Sequence, residues 1–211
     1  MKSCEKGRSM IEMLGVLAIV GVLSVGGIKG YSKAMTKLKA DKVISQMNET
    51  VLNIRTLFIN EKDYSGISAR LLINVNAIPT TMYDPSNTAS SITLKNALGG
   101  EILIFTSQDL TGSSKAFEVY ATGLDRDTCT AMAVLDWGIS TQGALEAMYV
   151  GTGDVTTPLL VDIHTPTDSI PENGIFTPGM HDNSLPIRVT MAQDLCACPS
   201  TNTCVLGLKY T

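Results

Sequence analysis

The feature that most constrains this chain is an apolar run near its N-terminus. The sixteen residues from Met13 to Ile28, MLGVLAIVGVLSVGGI, include no charged side chain. Together with residues 8–12 the run predicts a helix of about 20 residues, which at about 1.5 Å per residue crosses a hydrocarbon core about 30 Å thick. A small globular core cannot cover such a helix on all sides, so its surroundings are lipid or other helices.

Composition places an ordinary domain behind this run. The chain has 211 residues, enough for one domain with a core plus an appendage. Its net charge is -4, and no basic block occurs beyond the first forty residues, so we predict no nucleic-acid partner. No glycine-rich phosphate loop, nucleophile elbow or acid-base pair is present in the sequence. We therefore expect no enzyme activity and no cofactor.

The helical pattern continues beyond the apolar run. Apolar residues recur at steps of three and four, namely Ile44, Met47, Val51, Ile54 and Phe58. Charged and amide side chains lie between them, as on the polar face of an amphipathic helix. No proline occurs before Pro79, so we predict one helix from about Ser9 to about Asn60. The chain then divides into a helical segment, 8–61, and a head, 62–211.

The head reads as a mixed, mostly antiparallel α+β domain. Its composition shifts to Ser, Thr, Asn, Gly and Pro, with short apolar segments between turns. We predict strands over 101–106, 116–122, 158–163, 186–190 and 203–211. Predicted helical segments are 68–74, a helix capped by Asp125 and reaching Trp137, 141–150, and a turn over 193–196.

Cysteine usage indicates an oxidising compartment. Of the five cysteines, Cys4 lies before the apolar run and four lie in the head: Cys129, Cys196, Cys198 and Cys204. An even number is compatible with two disulfides, but the spacing alone does not assign the pairs, and Cys129 with Cys204 stays open. A four-cysteine zinc site is the alternative. The C-x-C-x5-C spacing is not usual for zinc, so we predict no metal.

The stretch KGRSMIEMLGVLAIVGVL, residues 6–23, resembles the signature of type IV prepilins. Three features occur in register: Gly7, Glu12 five residues later, and an uninterrupted apolar run. The resemblance implies a leader over 1–7, cleavage between Gly7 and Arg8 by prepilin peptidase, and N-methylation of Arg8. The first mature residue in this family is commonly Phe, Met or Leu, and here it is Arg.

The head adds a resemblance to the longer-headed type IVb pilins. It is carried by GLDRDTC, residues 123–129, and by VTMAQDLC, residues 189–196, before the terminal strand. The implied fold is the type IV pilin fold, a long N-terminal helix packed on a mainly antiparallel sheet. It also implies a disulfide between Cys129 and Cys196, which leaves Cys198 with Cys204.

The implied function is that of a structural subunit of a type IVb-like pilus, polymerised through its N-terminal helix. Residues 9–30 would span the bacterial inner membrane in the precursor, with the head in the periplasm, and would line the core of the extracellular fibre afterwards. Glu12 would pair with the α-amine of Arg8 in a neighbouring subunit, because a lone carboxylate is costly in apolar surroundings. The partners would be further copies, prepilin peptidase, and the assembly platform and motor. The roles that the resemblance allows for the fibre are adhesion, aggregation, or DNA or conjugation-related surface contact.

Three alternatives stay open. The subunit could be a pseudopilin of a type II secretion system. It could also be a secreted or membrane-tethered protein with an ordinary signal peptide cut near residue 28 to 32, although no small-x-small site ends the apolar run. For Glu12 itself, the alternative is a carboxylate at the membrane interface that snorkels to water.

Overall fold

The computed structural model describes residues 10–87, 92–109, 112–138, 145–153, 155–160, 174–178, 185–198 and 204–211. Its helices are α1 (Met10–Leu57), α2 (Ala69–Asn74), α3 (Arg126–Ala133) and α4 (Val189–Leu195), with a 3₁₀ turn at Thr80–Met82. Its strands are β1 (Leu94–Lys95), β2 (Glu101–Ser107), β3 (Ala116–Leu124), β4 (Leu145–Thr152), β5 (Ile175–Phe176) and β6 (Cys204–Tyr210). The chain separates into two compact units, with the boundary between Lys39 and Ala40.

The long predicted helix is confirmed in its described part. α1 is continuous over 48 residues, and no proline interrupts it. In the second unit it buries one stripe, formed by Val43, Met47, Val51 and Ile54. These positions lie three and four residues apart, so they share one face of the helix and pack into the core of the head.

The head contains a six-stranded sheet in the order β1-β2-β3-β6-β4-β5, and every neighbouring pair is antiparallel. The predicted α+β class and antiparallel sheet are confirmed. β6 is central, and all seven of its residues are buried. One face carries Phe117, Val119 and Leu208, which belong to the same core as the α1 stripe. Tyr120 and Val205 lie in a smaller cluster on the other face.

Side-chain caps start two of the short helices where the sequence predicts them. The Ser68 hydroxyl accepts a hydrogen bond from the Leu71 amide at 3.2 Å, and α2 begins at Ala69, directly after Ser68. The Asp125 carboxylate accepts from the Thr128 amide at 2.8 Å and starts α3, which ends at Ala133, earlier than predicted. Both oxygens satisfy amides that have no partner within the first helical turn.

The segment predicted to be helical over 141–150 contains a strand instead. Residues 141–144 lie outside the described residues, and β4 begins at Leu145 between β6 and β5. A register shift between Leu145 and Ala147 interrupts the alternation of β4. The apolar residues therefore lose the period of two that marks a strand, and pairing within the sheet overrides the helix propensity of this segment.

Two other strand predictions are wrong in their described parts. The 186–190 segment is not a strand, because α4 begins at Val189. Its β-branched residues only weakly disfavour a helix, and α4 packs against α3. Residues 158–160 form no strand either, whereas 161–163 lie outside the described residues. Side chains rather than a neighbouring strand bind the backbone of Leu160.

A buried charged cluster holds Leu160 on the sheet face opposite the α1 stripe. Glu118 on β3 and Lys209 on β6 are cross-strand neighbours, and both side chains are buried. The Glu118 carboxylate accepts hydrogen bonds from the Ser107 hydroxyl at 2.5 Å and from the Leu160 amide at 3.2 Å. Lys209 donates to the Leu160 carbonyl at 2.8 Å, and its Nζ lies 3.3 Å from Oε2 of Glu146. Two opposite charges thus satisfy both backbone groups of one residue.

Tyr120 completes this cluster and covers a glycine. Its hydroxyl donates to Glu118 and accepts a hydrogen bond from the Leu159 amide at 2.8 Å. Burial, together with the adjacent Glu118 carboxylate, raises the pKa of Tyr120 well above its ordinary value, so the phenol stays protonated and donates. A Cβ on Gly207, the residue opposite on β6, would collide with the Tyr120 ring. The position of this ring therefore requires glycine at 207.

We predict that Lys209→Met lowers the free energy of unfolding by about 3 kcal/mol, because it leaves the Leu160 carbonyl without its donor and the largely buried Glu146 carboxylate without its cation. The matched control is Lys95→Met. Lys95 and Glu101 form an ion pair at 2.8 Å, but both side chains are exposed, so its loss should cost less than about 1 kcal/mol. Urea unfolding of the full chain in detergent measures both, and equal effects would contradict the role of burial.

Candidate assembly site

The first half of α1 presents its apolar side chains to the outside of the chain. From Met10 to Ile28 every large apolar side chain is at least 49% exposed. This part of α1 is long and apolar enough to cross a membrane, and none of it is buried within the chain. Burying one such side chain yields about 1.5–3 kcal/mol. The summed gain favours insertion into lipid or contact with other helices, and the helix is compatible with membrane anchoring.

Glu12 lies in the first turn of α1 among these apolar neighbours. Residues 10–28 include no basic residue, so this stretch offers the carboxylate no partner. The favourable position at a helix N-terminus contributes up to about 1 kcal/mol, which is small beside the cost of an unpaired charge in hydrocarbon. Glu12 in an apolar setting therefore needs a cation from outside this stretch. Gly7 and Arg8, the predicted cleavage and methylation positions, lie outside the described residues.

Four glycines in this part of α1 have open space around them. A Cβ added at Gly15, Gly21, Gly26 or Gly27 would meet nothing within 4 Å in this chain. Glycine costs a helix about 1 kcal/mol relative to alanine, and contacts within the chain do not offset that cost. Small residues permit close approach of two helices, and they also weaken a helix locally. Close approach would involve a second helix, whereas local weakening is a property of α1 itself.

In the second unit, two disulfides connect the C-terminal part of the head. Cys129 in α3 is bonded to Cys196 at the end of α4, with the Cα atoms 5.8 Å apart. Cys198 is bonded to Cys204, the first residue of β6, with the Cα atoms 5.6 Å apart. This is the pairing that the type IVb resemblance implies. The first bond ties α3 to α4, and the second closes the segment before the central strand.

The sulfur atoms of Cys129, Cys196 and Cys204 lie within 4.8 Å of one another, and all three residues are buried. Spacing in the sequence does not distinguish Cys196 from Cys204 as the partner of Cys129, and in the fold both sulfur atoms lie close to that of Cys129. Zinc binds cysteine as a thiolate, and a sulfur in a disulfide is not a thiolate. Because these cysteines are bonded in disulfides, their sulfur atoms do not fit a zinc ion.

The charged cluster on the sheet was missed by the sequence analysis, although the sequence carries a signal for it. Glu118 lies inside the apolar strand pattern AFEVYAT, and Lys209 lies inside VLGLKY. A charge within a strand that is buried on both faces needs a partner of opposite charge nearby. The alignment of β3 and β6 places Glu118 opposite Lys209, and the carboxylate that forms an ion pair with Lys209, at 3.3 Å, is that of Glu146. Neither neighbour could be read from one sequence.

A family model described as Bundlin matches residues 32–172 of the chain. The range contains the second half of α1, strands β1 to β4 and Cys129. Residues 1–31, which include Gly7, Arg8 and Glu12, lie outside it, as do Cys196, Cys198 and Cys204.

Two curated proteins of Escherichia coli are similar to this chain, and both are described as the major structural subunit of bundle-forming pilus. The protein from E. coli O127:H6 (strain E2348/69 / EPEC) is 32% identical over 144 residues, which cover 67% of this chain and 70% of that protein. The protein from E. coli O111:H- gives the same values.

Two solved structures share the fold. The type IV pilin TcpA from the El Tor biotype of Vibrio cholerae has a TM-score of 0.54 at 14% identity, covering 82% of this chain and 99% of that chain. The type IV b pilin from Salmonella typhi has a TM-score of 0.50 at 14% identity, covering 80% and 96%. The long N-terminal helix and the antiparallel sheet are thus those of the type IV pilin fold.

We predict that C129S/C196S destabilises the head more than C198S/C204S. The first bond joins residues 67 apart and the second joins residues 6 apart. Restriction of the unfolded chain then contributes about 4 kcal/mol in the first case and about 2 kcal/mol in the second. Urea unfolding midpoints of the two variants in detergent measure the difference. A larger loss in C198S/C204S would contradict this ranking.

Proposed function

This chain belongs to the Bundlin family of structural pilins, and from that membership we propose that it is the major subunit of a bundle-forming type IV pilus. Two relatives that align with two thirds of its length carry that description, and Bundlin is a family of structural proteins rather than of enzymes. The observation that carries the proposal is the exposed apolar half of α1. A separate subunit in water cannot keep that surface exposed, whereas a fibre with packed helices buries it.

The proposed precursor is anchored in the bacterial inner membrane by residues 9–30. Prepilin peptidase removes residues 1–7 by cutting between Gly7 and Arg8, and the new α-amine of Arg8 is methylated. The spacing from Gly7 to Glu12 and the apolar run behind it support this processing. The head faces the periplasm before assembly, where its two disulfides are stable.

In the proposed assembly step, Glu12 of one subunit pairs with the α-amine of Arg8 in its neighbour. An ion pair in apolar surroundings is stronger than one in water, and an unpaired carboxylate there is costly, so only one axial register satisfies both groups. The assembly platform and motor of the inner membrane deliver each subunit to this position. The apolar surfaces of the helices then bury one another in the fibre core.

Aggregation and adhesion are the roles that we assign to the assembled fibre, because the relatives are named for a pilus that forms bundles. A role in DNA or conjugation-related contact has little electrostatic support at a net charge of -4. The relatives also support a pilus subunit over a pseudopilin of a type II secretion system.

We predict that the mature subunit begins at Arg8 and carries one added methyl group on its α-amine. Cleavage after Gly7 retains α1, whereas an ordinary signal peptidase would remove most of the apolar run. N-terminal sequencing and intact mass of the subunit from purified fibres measure both features. A start near residue 28 to 32 would refute the prepilin interpretation.

We predict that Glu12→Ala leaves the subunit in the membrane fraction but abolishes or stunts the fibres, because the amine of the neighbouring subunit loses its partner. The matched control is Glu61→Ala, which removes an exposed acid from the second unit and should preserve fibres. Electron microscopy of the cell surface and immunoblots of membrane fractions provide the two measurements. Normal fibres in Glu12→Ala cells would rule out the proposed role of this residue.

A further inference from the structure

A row of lysines follows the apolar run on one side of α1. Lys29, Lys33 and Lys37, which we call the basic stripe, are spaced by four residues, so they advance along one side of the helix. All three are exposed. The stripe begins at the residue directly after Ile28, where the apolar run ends.

The geometry of α1 places the stripe at the edge of a bilayer that contains the apolar run. At about 1.5 Å per residue, Lys33 lies about 6 Å and Lys37 about 12 Å beyond Lys29. The side chains of a helix tilt toward its N-terminus, so each lysine reaches back toward the end of the apolar run. Tyr31, 69% exposed, lies in the same turn, and aromatic rings of this kind favour the membrane interface.

The positive charge of this part of α1 is not balanced locally. Residues 13–40 include Lys29, Lys33, Lys37 and Lys39 but no acidic residue. The nearest acid beyond the stripe is Asp41, one helical turn past Lys37. The first two lysines therefore have no carboxylate within reach on their own helix, and an anionic partner must come from outside it.

The orientation of the proposed precursor makes this charge unusual. Basic residues near a membrane span normally concentrate on the cytoplasmic side. Here three basic residues precede the span, Lys2, Lys6 and Arg8, while the basic stripe and Lys39 follow it on the side of the head. The stripe thus opposes the usual distribution. A favourable interaction at the outer surface of the membrane would offset that cost.

We propose that the basic stripe binds anionic phospholipid headgroups at the outer surface of the inner membrane, and so holds the precursor at a fixed depth before assembly. This inference rests on the proposed membrane-anchored precursor. A phosphate-bearing headgroup fits because it presents negative charge at the depth that Lys29 and Lys33 reach. Lys37 lies about 12 Å beyond Lys29, which is about one Debye length. When a subunit leaves the membrane for the fibre, these contacts are released.

The test uses the full chain reconstituted in phosphatidylcholine vesicles that contain nitroxide-labelled phosphatidylglycerol or nitroxide-labelled phosphatidylcholine. Electron paramagnetic resonance then gives the relative association of each lipid with the protein. We expect about tenfold preference for phosphatidylglycerol at low salt. The preference should disappear in K29Q/K33Q/K37Q and in about 1 M NaCl, where screening is strong, and it should persist in K29R/K33R/K37R.

The matched control is K42Q/K62Q/K115Q, which changes the net charge equally at three exposed lysines of the second unit and should keep the preference.

Carbonate extraction, which shows whether the chain is inserted in the vesicle membrane, separates the lipid contact from the proposed membrane-anchored precursor. A wild-type chain that inserts into both vesicles without a preference would overturn only the lipid contact. If K29Q/K33Q/K37Q lost its fibres but kept the wild-type lipid preference, the basic stripe would contact a second copy of the chain. That result would also overturn the lipid contact. A chain that inserts into neither vesicle would overturn the precursor as well.

Discussion

One continuous helix must satisfy two environments, and the rest of the molecule depends on this constraint. The second half of α1 buries a single stripe in the head, whereas the first half leaves all of its large apolar side chains exposed. Folding of the head therefore completes only part of the burial that the chain can achieve. The remainder is available to lipid in the proposed precursor and to other helices in the proposed fibre core, and exchange between these two surroundings would require no refolding of the head.

Two kinds of interaction stabilise the head, apolar packing on one face of the sheet and hydrogen bonds of buried charged groups on the other. The α1 stripe and one sheet face form an apolar core, while the other face is organised by Glu118, Lys209 and Tyr120. On this second face, buried charged side chains bind the backbone of Leu160, a role that the hydrogen bonds of a neighbouring strand would otherwise fill. These hydrogen bonds to the backbone of Leu160 position one short segment. Such bonds depend on direction and distance, so they specify one arrangement where apolar contacts would tolerate several.

The sequence was sufficient wherever a pattern was local. The length of α1, the helical segment that begins near Ser68, the cap at Asp125, and the strands β2, β3 and β6 follow from periodicity and cap chemistry. β4 could not be predicted, because a bulge hides its alternation and its conformation depends on pairing with β6. At the candidate site, the spacing of Gly7 and Glu12 came from the sequence, but the choice of partner for Cys129 came from a resemblance, since spacing alone does not assign cysteine pairs.

The central position of β6 determines when the sheet of the head can form. Strands β1 to β3 lie on one side of it and β4 and β5 on the other, and no hydrogen-bonded ladder joins the two sides except through β6 in the part of the chain that the structure describes. Because β6 spans Cys204–Tyr210 and follows β1 to β5 in the chain, the sheet stays in two pieces until β6 has been made. In the proposed precursor, whose head crosses the membrane before assembly, the two halves of the sheet would therefore stay unjoined until this late strand pairs with both of them.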